Sequence, residues 1–164
     1  MVLNRKVKTR ELFECHTYYL DKLFQYEYPW EILPKIKEYI ISLINEGLEG
    51  FEEISECVYV GKNVKIYPTA TIEGPAIIGD GTEIRPGAFI RGSVITGANC
   101  VIGNSSELKN CVLLDKVQVP HYNYVGDAVL GYKSHMGAGS ITSNVKSDKK
   151  LVVLKIENEN GEKE

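Results

Sequence analysis

The sequence predicts a mainly β protein: a solenoid of hexapeptide repeats with an N-terminal α-helical cap. Two textures and one period carry this expectation. Residues 1–56 hold seven leucines and two valines, whereas 57–146 hold 20 Val or Ile, 12 of the 15 glycines and only four leucines. The first texture favours helix and the second short strands with frequent turns. Counting by sixes from Val60 gives Ile66, Ile72, Ile78, Ile84 and Ile90 without a miss. The residues four further on are Val64, Ala70, Ala76, Thr82, Ala88 and Val94, all small or β-branched. Each hexad then makes one short strand and three hexads complete a triangular coil, with the large aliphatic inside and the small residue near the corner.

In chain order, Leu12, Phe13, Leu20 and Leu23, then Leu33, Ile36, Ile40, Leu43 and Ile44, recur at helical spacing and predict two amphipathic helices. Pro29 and Pro34 disfavour helix in the residues before them, and Gly47 and Gly50 end the second helix. The hexad count slips after Ile90 and resumes at Ile102 and Leu108. It steps by five to Leu113, continues through Val119 and Val125, and steps by five again to Leu130 before Met136. A step of five shortens a corner, and four to five coils fit between Cys57 and Asn144. A stack exposes its first and last coil, so residues 1–56 are expected to cap it, with the repeats over 57–150. Alternation by twos, the mark of an antiparallel α+β domain, is weaker than the period of six. Residues 151–164 read as the strand LVVLKI and an Asn160-Gly161 hairpin turn. No partner strand follows, so the expectation is pairing by another chain or further coils beyond Glu164.

Composition excludes several function classes. The chain carries 43% hydrophobic and 25% charged residues with net charge −3. A slightly acidic protein without clustered Lys and Arg is not expected to bind nucleic acid. No apolar stretch approaches the ~18 residues of a membrane span and the N-terminus has no signal-peptide core, so a cytoplasmic location without membrane contact is expected. Cys15, Cys57, Cys100 and Cys111 form no C-x-x-C pair and read as reduced, mostly buried thiols.

Arg91 and Lys109 are 18 residues apart, which stacks them on one face of a three-hexad coil. They form either an anion site, for a phosphate or carboxylate, or a pair of solvated cations that splay apart. His121, flanked by Tyr122 and Tyr124, meets the small residues Gly137, Ala138 and Gly139 of the next coil. Imidazole is the usual proton acceptor for an amine or hydroxyl nucleophile, and an open glycine-rich wall lets a thioester approach. The other reading of His121 is a surface residue at a subunit contact. Asn144 offers an amide to steer a nucleophile or simply completes a turn, and Lys146, Lys149 and Lys150 either hold an anion or are solvated. His121 and His135 are the only near histidine pair, so no metal site is expected.

The segment GNSSELKNCVLLDKVQVPHYNYVGDAVLGYKSHMGAGSITSN, with H-x-x-Y-[Leu/Val]-G-D followed by G-A-G-[Ser/Thr] and an asparagine, resembles a known family. It is similar to the acetyltransferase domain of the bifunctional enzymes that acetylate glucosamine-1-phosphate and uridylylate the product to UDP-N-acetylglucosamine, and to short pyrophosphorylase-related relatives. The resemblance covers about Ile78 to Lys150. It implies a left-handed parallel β-helix, an exception to the usual right-handed crossover, assembled as a homotrimer with sites between subunits. It further implies His121 as general base for a sugar amine attacking acetyl-CoA, Arg91 and Lys109 on the sugar phosphate, and Tyr124 on the sugar. Ala138, Asn144 and Val145 would line the acetyl-CoA side, and Lys150 would reach the phosphate. His135 stands where the family pattern has an asparagine facing the sugar. No L-x-x-G-x-G-T nucleotide loop is present, so pyrophosphorylase activity by this chain alone is not expected. The alternative function is a sugar-phosphate or nucleotide-sugar binding module without catalysis.

Overall fold

The computed structural model describes residues 3, 4, 7–142, 146–150, 153, 156 and 157. Strand β1 (Leu3–Asn4) is followed by a single turn α1 (Thr9–Leu12), by 3-10 turns between residues 21 and 35, and by α2 (Ile36–Glu46). Strand β2 (Glu52–Ser55) leads into the first coil, β3 (Val58–Val60), β4 (Lys65–Ile66) and β5 (Thr71–Glu73). The second coil is β6 (Ala76–Ile78), β7 (Glu83–Ile84) and β8 (Phe89–Arg91), and the third begins with β9 (Val94–Thr96) and β10 (Val101–Asn104). Then come the longer β11 (Glu107–Leu113), β12 (Gln118–His121) and β13 (Tyr124–Leu130), and finally β14 (Ile156–Glu157).

The coil strands pair in parallel, and their register makes the solenoid explicit. On the first face Val58 pairs with Ala76, Ala76 with Val94, Val94 with Cys111 and Cys111 with Ala128, so the turn tightens from 18 to 17 residues. The second face stacks β4, β7, β10 and β12 and ends on a bridge from Gln118 to His135. The third stacks β5, β8 and the first halves of β11 and β13, ending on a bridge from Tyr124 to Ile141. Corners repeat at the same period. Asn63, Gly81, Asn99, Lys116 and Lys133 hold positive φ between the first and second faces, and Gly87, Ser105, Tyr122 and Gly139 between the second and third. Where the sequence steps by five, β11 and β13 turn the corner on the single left-handed residues Asn110 and Asp127, without leaving the strand. Asn110 Nδ2 donates to Asp127 Oδ1 at 2.7 Å, tying one such corner to the next.

The interior is the aliphatic prism that the hexads predict, with Ile78, Ile84, Ile90, Ile102, Leu108, Leu113, Val119 and Val125 all buried. The slip after Ile90 falls on Thr96. Thr96 is fully buried, and its Oγ1 accepts the Gly79 N–H at 2.9 Å, so a satisfied polar residue takes the aliphatic slot without interrupting the coil. Ile66 departs from the pattern: it lies in the first coil, with no coil beneath it, and remains 36% exposed.

The helical segment packs against the side of the stack. Leu20, Leu23, Phe24, Ile32, Ile36, Ile40 and Leu43 form a second core with Ile77, Ile95, Val112 and Leu114. Ile77, Ile95 and Val112 are the middle residues of the first-face strands and point away from the prism. Tyr19 fixes the segment by donating its hydroxyl to the Thr96 carbonyl at 2.8 Å, and Thr17 Oγ1 bonds Asp115 Oδ1. At the bottom edge the antiparallel β2, with Glu52 and Glu53, covers β3 and places charge where another strand would add.

Two expectations change. The first predicted helix is reduced to α1, because the aromatic and β-branched run Thr17-Tyr18-Tyr19 and the proline-punctuated segment after it favour turns. Of the expected strand 151–156, Ile156 pairs, together with Glu157, in parallel with Leu3–Asn4 of the same chain, while Val153 is outside any strand and residues 151, 152, 154 and 155 lie outside the described residues. The Asn160-Gly161 turn lies outside the described residues.

Replacing Ile95→Ala is expected to cost about 2–5 kcal/mol of unfolding free energy by urea titration, although the side chain faces away from the prism. A cost near zero would contradict the second core. Burial pushes the Cys100 thiol up to about 12 from its ordinary 9.0, and pushes Cys111 and Tyr19 upward as well. Groups whose folded values are raised contribute stability that is intact below their ordinary values and lost as pH rises through the folded ones. The melting temperature should therefore fall between about pH 9 and 12, and Cys100→Ala should flatten part of that fall.

Candidate active site

The site builds from the third face. Glu73 pairs with Arg91, and the register that sets Leu108 beside Ile90 places Lys109 on Arg91. Gly126 follows Lys109 in the next coil. The continued register sets the two cations at neighbouring positions of adjacent coils, and a carboxylate pairs with Arg91. Arg91 Nη1 lies 2.5 Å from Glu107 Oε1, and this hydrogen bond and charge raise the Arg91 pKa above its ordinary value. A guanidinium has five donors, so one bond to Glu107 leaves others for an anion. Lys109 is exposed. Tyr124 follows Glu107 in register and folds its phenol over Gly126, where any Cβ would collide with the ring.

His121 ends β12 at the corner between the second and third faces and is exposed. The Gly139 N–H donates to its carbonyl at 3.0 Å, bringing the next coil directly over it. Gly137, Ala138 and Gly139 are exposed there. A Cβ added at Gly139 would meet nothing within 4 Å, and one at Gly137 only Ser140 Oγ at 3.6 Å. The wall beside the imidazole corner is therefore open. Two cavities of about 350 and 390 Å³ flank the helical segment, and neither is lined by Arg91, Lys109, His121 or Tyr124. The open face is where the chemistry of the residues points.

The fold brings together Arg91, Lys109 and Tyr124 on one face with His121 at its corner. His135 stands on the second face instead, its Nδ1 3.1 Å from Gln118 Oε1. Lys150 is exposed and its backbone N–H bonds Asp148 Oδ1 at 3.1 Å, while Lys146 pairs with Asp148 at 3.6 Å. Asn144 and Val145 lie outside the described residues. Among the described residues no three His, Cys, Asp or Glu side chains converge to hold a metal ion, and no helix is long and apolar enough to cross a membrane. Glu107 is a site residue that sequence reasoning missed. Its signal was its position two before Lys109, which in a strand returns it to the same outward face.

The model of the GMPPB C-terminal domain matches residues 72–153, half of the chain. The chain belongs to the GMPPB C-terminal domain family. The matched span contains every residue of the Arg91, Lys109, His121 and Tyr124 set. The chain is also similar to several proteins named Bifunctional protein GlmU. That of Methanococcus aeolicus is 34% identical over 149 residues, covering 80% of this chain and 33% of the relative. That of Nostoc sp. is 44% identical over 91 residues, covering 56% and 20%. That of Methanocaldococcus jannaschii is 34% identical over 146 residues, covering 78% and 32%. This member of the GMPPB C-terminal domain family thus spans about a third or less of the curated relatives it matches.

Replacing Glu107→Gln removes the carboxylate that competes for Arg91. Binding of a phosphate-bearing probe measured by calorimetry should tighten by about twofold to fivefold, the range of a solvent-exposed ion pair. Weaker binding would show that Glu107 supports the anion site rather than competing for it.

Proposed function

We propose that this chain is a sugar-phosphate N-acyltransferase, moving an acetyl group from acetyl-CoA to the amine of a sugar phosphate such as glucosamine-1-phosphate. One observation carries the reading: Lys109 is stacked in register on Arg91, one corner away from an exposed His121 under an open glycine wall. Two cations at strand spacing repel unless an anion lies between or over them, which suits a sugar phosphate. With the phosphate held there, Tyr124 contacts the sugar ring and the amine faces the corner. His121 takes a proton from the amine as nitrogen attacks the thioester carbonyl. The N–C bond forms, the C–S bond breaks, and the departing thiolate recovers the proton. Ala138, Asn144 and Val145 line the donor side in this reading, Lys150 reaches the phosphate, and His135, which the resemblance would set toward the sugar, has the place of the family's asparagine but stands on the second face beside Gln118. The similarity to proteins named Bifunctional protein GlmU supports the same reading, and with it a homotrimer whose subunits complete one another's open faces.

His135 on Gln118 favours a second reading, a sugar-phosphate binding module without catalysis. Incubating the full chain with acetyl-CoA and glucosamine-1-phosphate separates the two. Acetyl transfer should be detected, and His121→Ala should lower kcat by about a hundredfold or more with little change in KM. Arg91→Ala or Lys109→Ala should instead raise the sugar-phosphate KM by about tenfold. Tight sugar-phosphate binding with no transfer that depends on His121 would leave the binding module as the function.

A further inference from the structure

One interior column of the solenoid changes character as it rises toward the site. Ala70, Ala88, Ser106, Asn123 and Ser140 occupy equivalent positions before the third face, one per coil. The column is apolar at the bottom and polar from the third coil upward. Asn123 is only 3% exposed and, among the described residues, is the one buried carboxamide. A buried amide is costly unless both its donors and its acceptor are used. Asn123 uses all of them. Its Oδ1 accepts the His121 backbone N–H at 3.0 Å, and its Nδ2 donates to the Gly137 carbonyl at 2.8 Å and to the Ser140 carbonyl at 3.2 Å. Its own backbone N–H donates to Ser106 Oγ at 3.2 Å. The donors face carbonyls and the acceptor faces an N–H, so the amide has one satisfying orientation.

These partners belong to the two segments that must be held in register for the chemistry proposed above. His121 is the base, Tyr122 turns the corner at φ 50°, and residues 137–140 form the open wall over it. The corner itself is exposed, and among the described residues no hydrogen bond to the imidazole fixes it. We infer that Asn123 is a positioning residue: its buried amide clamps the His121 corner to the 137–140 turn of the next coil and so sets the spacing between the base and the acyl-donor wall. A displacement of about 1 Å at a reacting group costs far more rate than binding, so the clamp acts on kcat.

The inference rests on the acyl-transfer reading for its kinetic arm and on the fold alone for its exchange arm. Asn123→Ala should speed amide hydrogen exchange at residues 121–124 and 137–140 by at least about tenfold, with exchange in the first two coils unchanged. It should lower kcat for acetyl transfer by at least about tenfold at unchanged sugar-phosphate KM. Asn123→Ser, which keeps a hydrogen-bonding group and guards against simple misfolding, should recover part of both. Thr82→Val removes interior hydrogen bonds at a corner remote from His121, and should lower the melting temperature without changing kcat. Unchanged exchange in Asn123→Ala overturns the clamp. Faster exchange with unchanged kcat overturns its positioning role. If the unmodified chain transfers no acetyl group, the acyl-transfer reading fails on its own and the exchange pattern alone decides the clamp.

Discussion

Backbone hydrogen bonds between successive coils set everything else in this molecule. Once Val58 bonds in register with Ala76 and Ala76 with Val94, residues 17 or 18 apart become neighbours and every column of the prism is fixed. The ladder tolerates no drift, because a one-residue slip would turn the aliphatic residues outward. Most of its corners also take a left-handed residue, and the majority of these are not glycine: Asn63, Asn99, Ser105, Asn110, Lys116, Tyr122, Asp127 and Lys133 all have positive φ. Such conformations cost energy in isolation. They persist because the flanking strands on both sides are hydrogen-bonded to the coils above and below.

The same register creates two cores from one strand. On the first face the residues before and after Ile95 point into the prism while Ile95 points out, onto the helical segment. A three-sided stack therefore has one face buried on both sides and two that are free for chemistry. Burial of aromatic and aliphatic side chains from residues 19–43 against this face fixes the N-terminal segment laterally. The lower edge is protected separately, by the acidic β2 strand.

The site belongs to the free faces and follows from the same geometry. Register places Arg91 and Lys109 at neighbouring outward positions of adjacent coils, and Glu107 balances the charge of Arg91. Each of these groups is exposed or only partly buried, which keeps the cost of holding like charges together low. The precise part of the site is the corner, where a buried amide rather than the exposed side chains fixes the backbone.

The sequence by itself determined the coil. Its period of six, the steps of five at Leu113 and Leu130, and the stacking of Lys109 on Arg91 are all local arithmetic, because a solenoid converts spacing along the chain directly into proximity. Tertiary structure decided what spacing does not encode. The 12–23 segment is amphipathic, yet its Thr17-Tyr18-Tyr19 run disfavours helix, and Tyr19 and Thr17 instead bond Thr96 and Asp115 on the solenoid. The lateral placement of the helical segment depended on the outward residues Ile77, Ile95 and Val112, which read in sequence as continuous apolar strands. The pairing of Leu3–Asn4 with Ile156–Glu157 joins the two ends of the chain, a contact with no local signature. Glu107 on Arg91 and Asn123 beneath His121 likewise arise from side-chain directions between coils, which only the folded register defines.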